Sequence, residues 1–467
     1  MFHDATLRLG DCYFAISNYN AALDAYTYII SNRKPGADYA MFQQGMIYGL
    51  QGKQTSKIVV LKKISSSYPN SLFIPEAVFQ TAEVYLSLEN DIEAERNYNY
   101  LIGDYPNSPL VKECYVRLAS IYYSRNDYGK AMETYKYIAR TYPGTPEASK
   151  AIKNAEVVSK KQGNIKEYLD WVKTLPNVNI STSKEDSLYY DAAFRKFSSN
   201  KYREATVDFK EYLNNFSNGF FTLQAHYYSG LSYLNLKDTS NTLEHLEFVA
   251  NYQNSEYKED AILQVCNIYS KRQDCDKGLP YYEQLEKYSS NTLSSRKALY
   301  GQLLCYNKSK SYEKAKIKAE QILKYDQITN SEKGESNNAI GRYYLNDSMY
   351  KVASAYFAKT LKSQQDVYAA EAKYYEAYIR YSQDSLDKCK KSIMEFNNQF
   401  NNYDFWLGKT FILLSDYYLK KGDEFQAKAT LNSVIEQFDN PEIIAIAKEK
   451  LAALEARNKP ALPVEGE

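Results

Sequence analysis

The residues best suited to chemistry in this chain are its tyrosines, 48 of them in 467 residues, against six cysteines and three histidines. A nucleophilic or metal-dependent site needs cysteine, histidine or carboxylate donors gathered at short, characteristic spacings. Cys12, Cys114, Cys266, Cys275, Cys305 and Cys389 include no C-x-x-C pair, and His3, His226 and His245 are equally dispersed. They read as isolated small residues and structural imidazoles, so no metal or other cofactor is expected. Glycine-rich phosphate loops, a nucleophile elbow and a zinc-binding helix signature are also missing. Carboxylates follow solvated helix faces, as at Glu313 beside Lys314 and Lys316, and the chain reads as non-catalytic. Phenol rings can instead stack on peptide side chains, sugar faces or bases, with the hydroxyl free to hydrogen-bond.

Charge removes one of those choices. Lys plus Arg number 58 and Asp plus Glu 57, so the basic groove that RNA or DNA requires is lacking, and no nucleic-acid partner is expected. Glu83 and Asp416, expected on the inner face, argue the same way. The opening MFHDATLRLGDCYF carries Asp4 and no long apolar run, so no signal peptide is expected there, and no transmembrane segment is expected anywhere.

The tyrosines are periodic. SIYYSRNDYGKAMETYKYIARTYP, residues 120–143, holds six of them, and the chain repeats with a period of about 37 residues. A small residue followed three positions later by tyrosine recurs at Gly10/Tyr13, Gly45/Tyr48, Ala82/Tyr85, Ala119/Tyr122 and Gly230/Tyr233. It continues less strictly at Cys266/Tyr269, Leu303/Tyr306, Gly341/Tyr344 and Ser415/Tyr418. Twelve residues after each marker comes a second column, mostly small: Ala22, Lys57, Ala94, Ala131, Tyr168, Ala205, Thr242, Gly278, Ala315, Ala353, Cys389 and Ala427. Bulky residues follow it at +4 and +7, as Tyr26 and Ile29 or Tyr98 and Leu101. These spacings are helical, and small residues facing one another let two helices cross closely. Each unit is therefore predicted to be a helical hairpin, its turn marked by capping residues such as Asn18, Asn90, Asp127, Asn164, Asp238, Asp274 and Asp423. The links YPNS (68–71), YPNS (105–108) and YPGT (142–145) should end one helix and start the next, with Ser108-Pro109 and Thr145-Pro146 in cap-then-proline order.

In these columns the chain resembles tetratricopeptide-repeat proteins over about residues 2–437. The resemblance implies an all-α, right-handed α-solenoid superhelix of about twelve hairpins. The expected layout is repeats 1–5 over 1–175 with the fifth degenerate, a polar link over 176–187, repeats 6–12 over 188–440, a cap helix over 441–457 and a disordered tail over 458–467. The first repeat has no matching cap, so its outer face should be bare, as in a piece of a longer protein.

The resemblance also implies a function. In the family, the first helices line a concave groove with residues flanking the core positions. By register these are Phe79, Glu83, Tyr123, Tyr190, Phe194, Phe197, Tyr227, Leu231, Tyr300, Asn307, Arg342, Tyr374 and Tyr378. Doublets such as Tyr374-Tyr375 support this, because neighbours on a helix point about 100° apart and cannot both enter one interface. The partner implied is a protein or peptide. The units exceed the usual 34 residues and carry YPNS-type links, and so resemble the repeats of bacterial outer-membrane assembly lipoproteins and periplasmic cell-division coordinators. That implies an envelope-protein complex and a periplasmic or outer-membrane-associated parent, with cytoplasm the alternative. A glycan-binding lipoprotein-like module and the non-catalytic solenoid of a cell-wall enzyme stand as the other readings.

Overall fold

The structure, a computed structural model, describes residues 2–363 and 365–457; the tail expected over 458–467 lies outside the described residues. Among the described residues all regular structure is α-helical, in 25 helices. The chain divides into two compact units, Met1–Ala225 and His226–Glu467. The first holds α1 (Phe2–Ala15), α2 (Tyr19–Ser31), α3 (Ala37–Leu50), α4 (Gln54–Ser67), α5 (Ile74–Ser87), α6 (Asp91–Asp104), α7 (Val111–Ser124), α8 (Tyr128–Thr141), α9 (Pro146–Gln162), α10 (Ile165–Val172), α11 (Thr182–Ser198) and α12 (Tyr202–Asn215). The second begins within α13 (Thr222–Asn235) and holds α14 (Thr239–Asn251), α15 (Lys258–Arg272), α16 (Cys275–Tyr288), α17 (Thr292–Lys308), α18 (Tyr312–Ile322) and α19 (Asn330–Asn346). It continues with α20 (Tyr350–Ser363), α21 (Val367–Ser382), α22 (Leu386–Gln399), α23 (Asp404–Lys420), α24 (Glu424–Gln437) and α25 (Pro441–Arg457).

One turn geometry makes every hairpin. Ser17, Gly52, Glu89, Asn126, Gly163, Asn200, Lys237, Gln273, Lys310, Ser348, Asp384 and Gly422 all have positive φ, one per turn, and only three of them are glycine. The amide after each reaches back to a carbonyl five residues earlier, as Asn18 to Tyr13, Asn90 to Tyr85, Asp127 to Tyr122 and Asp423 to Tyr418. This is the left-handed helix stop that satisfies orphan carbonyls, and in nine of the twelve turns the tyrosine column supplies its acceptor, with Ser159, Lys196 and Arg380 doing so in the others. Asn18, Asn90, Asp127, Asp238, Asp274 and Asp423 then cap the next helix through their side chains, whereas Asn164 makes no such bond.

The predicted crossings form. A Cβ built on Gly10, Gly45, Gly230 or Gly341 would come 2.6–2.8 Å from Tyr26, Leu61, Leu246 or Phe357, the residue four past the second column in the same hairpin. The link prediction holds at Thr145, which caps α9 with Pro146 in its first turn. It fails at Ser108: α7 starts at Val111, and the Ser108 hydroxyl only accepts from the Leu110 amide within the link. The stretch expected as a polar link becomes helix from Thr182 onward, because the Ser181 hydroxyl caps α11 by accepting from Lys184 N–H. Repeat five keeps its hairpin, with a short α10 burying Tyr168, Leu169, Trp171 and Val172. At the other end α25 buries Ile443, Ala447 and Leu454 against Leu431 and Val434 of α24.

Cysteine pairing departs from the sequence reading. Cys275 and Cys305 form a disulfide, with Cα atoms 5.2 Å apart. Cys275 opens α16 and Cys305 lies near the end of α17, and packing these consecutive helices brings the two positions together. His226 and His245 also meet, Nδ1 to Nδ1 at 2.9 Å.

Candidate functional site

Within each unit the first helices of successive hairpins also touch one another: α7 with α9, and α15 with α17, α17 with α19, α19 with α21, α21 with α23. That makes their exposed face the more closely knit side, where the groove residues were expected. Most of the tyrosine column is absorbed behind it. Tyr122, Tyr269 and Tyr306 donate to Glu95, Glu247 and Glu283 of the preceding second helix at 3.0, 2.5 and 3.1 Å, and Tyr85 accepts from Lys62. These rings tie one hairpin to the next through side-chain partners rather than wet edges.

In the first unit Phe79 is buried against Tyr98 in the core. Glu83 accepts from the Tyr98 hydroxyl and pairs with Arg117 at 3.1 Å, so its charge is already answered. Tyr123 is half-buried beside Tyr128, with Lys161 over its ring. Tyr190, Phe194 and Phe197 do come together. Phe221, Tyr190, Phe194, Phe197 and Tyr202 form a continuous row along α11, with centroids 4.4, 5.8, 6.1 and 5.8 Å apart. Tyr190 is buried within it, while Phe194 and Phe197 are partly exposed.

In the second unit Tyr227 donates to Asp260 at 2.8 Å and packs on Tyr257, with Leu231 half-buried one turn on. Tyr300, Asn307 and Arg342 converge, but onto a buried polar cluster. Glu335 Oε1 accepts from Asn307 at 2.6 Å and from Arg342 at 2.7 Å; Arg342 also pairs with Glu371, which accepts from Asn338 at 3.1 Å. Burial alone would lower the Arg342 pKa, but the charges of Glu371 and Glu335 outweigh it and raise it. Burial raises that of Glu371 despite Arg342. Tyr300 meets Tyr368 across the top, and its phenol pKa is raised chiefly by burial.

Tyr374 and Tyr378 form the third group. Tyr375 turns inward to stack on Phe357 at 5.0 Å, while Tyr374 packs on Trp406 of α23 at 5.5 Å and on Tyr378 at 6.3 Å. Tyr378 is 38 % exposed. The two rings diverge: Tyr375 packs with Phe357, while Tyr374 packs over Ile393 and Phe396 of α22 as well as on Trp406, and of the three tyrosines Tyr378 is the exposed one. Sequence reasoning missed Trp406 and the partners Glu335, Glu371 and Tyr368. The available signal was the run NSEKGESNNAIGR in α19, polar where a first helix should be apolar.

Among the described residues no helix is long and apolar enough to cross a membrane, and no group of three or more His, Cys, Asp or Glu is arranged to hold a metal ion. The sequence model of the tetratricopeptide repeat matches residues 39–71 and 113–145, the α3–α4 and α7–α8 hairpins with their following links. No curated protein matches the chain. Among solved structures the chain is similar to that of Naa15/Naa10 bound to HypK-THB, at 14% identity over 92% of this chain and 68% of that one, with a TM-score of 0.42. It is also similar to yeast Tom70, at 11% identity over 98% and 96% with a TM-score of 0.33. A tetratricopeptide repeat protein from Parabacteroides merdae is similar at 15% identity over 56% and 96%, with a TM-score of 0.32. Two hairpins thus match the tetratricopeptide repeat itself, and the same turn and crossing geometry recurs through the other hairpins of the chain.

Proposed function

We propose that this chain is a non-catalytic interaction scaffold that holds peptide or helical segments of partner proteins on the face lined by its first helices. What supports the reading is one ring group on the first helices of each unit, Phe194–Phe197 on α11 in the first and Tyr374–Tyr378 with Trp406 on α21 and α23 in the second. Each is fixed by packing on its own unit, so a partner side chain would meet pre-ordered aromatic area at little entropic cost. Tyr300, Asn307 and Arg342 serve instead to stiffen the support, since their polar atoms are largely engaged with one another. The resemblance of the long units and YPNS-type links to envelope repeat proteins supports partners in cell-envelope assembly or division. Affinity capture from envelope and cytosolic fractions, followed by calorimetry on the purified partner segment, tests the proposal. Tyr378→Ala and Phe197→Ala should weaken binding by tenfold or more, on the order of the 1.4 kcal/mol that one contact ring supplies, with the melting curve unchanged. Undiminished affinity in both variants would remove the groove.

A further inference from the structure

The last turns of α9 and α11, successive first helices of the first unit, each carry two cations: Lys160 and Lys161 in one, Arg195 and Lys196 in the other. The dipole at a helix end favours cations, yet α1, α3, α5, α7 and α13 have none in their last turns. Between the two ends lies an open cavity of about 370 Å³, whose wall adds Lys201 and a single carboxylate, Glu204. Five cations thus meet one acid, in a chain whose 58 basic residues are matched by 57 acidic ones. Three of the five are answered from the rim: Lys160 by Glu156 at 3.0 Å and Asp191 at 3.7 Å, Lys196 by Asp208 at 2.7 Å, and Lys201 by Glu204 at 3.9 Å. Among the described residues Lys161 and Arg195 have no carboxylate partner, and both are exposed. Lys161 is nonetheless held in place, its Nζ 5.3 Å from the ring centroids of both Tyr123 and Tyr128.

We propose that this cavity receives acidic side chains of a partner's peptide segment, with Lys161 and Arg195 as the two anchors. The inference rests on the reading of the chain as a holder of peptide segments, and it names the chemistry of one of them. Charge argues for an anion, because an incoming carboxylate gives an unanswered cation its partner without displacing an existing pair. Size argues for a run of side chains: the cavity has room for about a dozen waters, which a single phosphate group would leave mostly wet. A nucleic acid or a lipid surface would need a basic track running on past the cavity, whereas Glu156, Asp191 and Asp208 close it off. Exposed pairs of this kind steer encounter and set orientation more than they add affinity, so binding through the cavity alone is weak and salt-dependent.

Fluorescence anisotropy of labelled tetraglutamate on the full chain at low ionic strength tests this, with tetralysine and inorganic phosphate as comparison ligands. Tetraglutamate should bind and lose affinity as salt is added, and tetralysine should not bind. Lys161→Ala or Arg195→Ala should weaken the peptide roughly threefold each and about tenfold together, while Arg195→Lys, which keeps the charge, should retain most of the binding. Both positions are exposed, so the melting curve should not move. Absence of tetraglutamate binding, an affinity indifferent to both alanine substitutions, or inorganic phosphate bound more tightly than the peptide would each overturn the proposal. Tetraglutamate has no apolar side chain to lay on Phe194–Phe197 or Tyr374–Tyr378, so failure here and failure of the ring groups are read separately.

Discussion

Tyr300 and Tyr368 stand 68 residues apart, on α17 and α21, yet their hydroxyls meet at 3.1 Å across the intervening first helix α19. The contact encloses the start of α19, where Glu332, Glu335, Ser336, Asn337 and Asn338 are all buried. In most hairpins the first helix keeps one face toward solvent. Here that face is roofed, and the charges beneath it must be balanced internally.

Arg342 does that balancing. Its Nη2 pairs with Glu335 at 2.7 Å and its Nη1 with Glu371, and both carboxylates are buried. Arg342→Ala leaves two like charges facing each other out of water, so we expect a loss of about 3–5 kcal/mol. Arg342→Lys should restore only part of it, since an ammonium lacks the fork that spans both partners. Because repeats unfold piecewise, hydrogen exchange in α19 is the sensitive measurement. Exchange unchanged by Arg342→Ala would contradict the assignment.

The same cluster fixes a pH dependence. Burial raises the folded-state pKa of Glu371 above its unfolded value. The folded chain therefore binds the extra proton, and the stabilisation is complete below the unfolded carboxylate pKa and is lost as pH rises through the raised value. Glu371→Gln keeps the neutral form at every pH. It should flatten the decline in stability seen on going from acid toward neutral pH, measured by urea unfolding in parallel with the wild-type chain.

Gly341→Ala separates two opposing effects. Helix propensity alone would favour alanine by about 1 kcal/mol. Against that, the new Cβ would lie 2.8 Å from Phe357 Cε1 and Cζ, which is inside contact distance. Overpacking of this kind costs about 1–3 kcal/mol, so a net loss of roughly 1 kcal/mol is expected, and Phe357→Leu in the same chain should recover it. A stabilised single variant would show that the crossing is looser than drawn.

This crossing was readable in the sequence because a close approach needs a small residue and a large one in fixed register, and both are residue types. The turns were readable only in part. Asn and Asp signal caps, but the left-handed residue before them is Ser17, Glu89, Lys237 or Gln273 as readily as glycine, because the helix-stop hydrogen bonds impose that conformation whatever the side chain. The groove register put Phe194, Phe197, Tyr374 and Tyr378 on the first-helix face, yet it could not show that Phe79 turns into the core. It also missed that Arg342 is answered by Glu371, since such pairings depend on how tightly successive first helices are drawn together. Cys275 and Cys305 escaped notice for the same reason: only antiparallel packing makes them neighbours.

That disulfide closes a loop across a hairpin boundary, joining positions 30 residues apart. Restricting the unfolded chain by a loop of this size is worth roughly 3–4 kcal/mol in the chain-entropy account. Reductant should therefore lower the melting temperature of the second unit, and Cys275→Ser should reproduce the reduced curve and no longer respond to reductant. Non-reducing peptide mapping must recover the Cys275–Cys305 pair. A chain isolated with both thiols free and an unshifted melt would show that the bond contributes nothing.

The last expectation concerns His226 and His245. Their Nδ1 atoms are 2.9 Å apart, with Phe248 stacked on His226 and Tyr233 on His245. Such a bond requires one ring to donate and the other to accept through an unprotonated Nδ1, so protonating both rings destroys it. Burial lowers both pKa values, His226 to about 4, with the neighbouring imidazole adding to the effect there and Glu244 opposing it at His245. The unfolded chain then binds more protons than the folded one between pH 6.5 and 4, and stability falls as pH drops through that window. With the screening of partly exposed rings allowed for, the loss is up to about 2 kcal/mol. His226→Phe removes one titrating ring and keeps the stack on Phe248, so its stability should decline less steeply between pH 7 and 5. Identical slopes for the two chains would mean that the imidazoles do not titrate differently on folding.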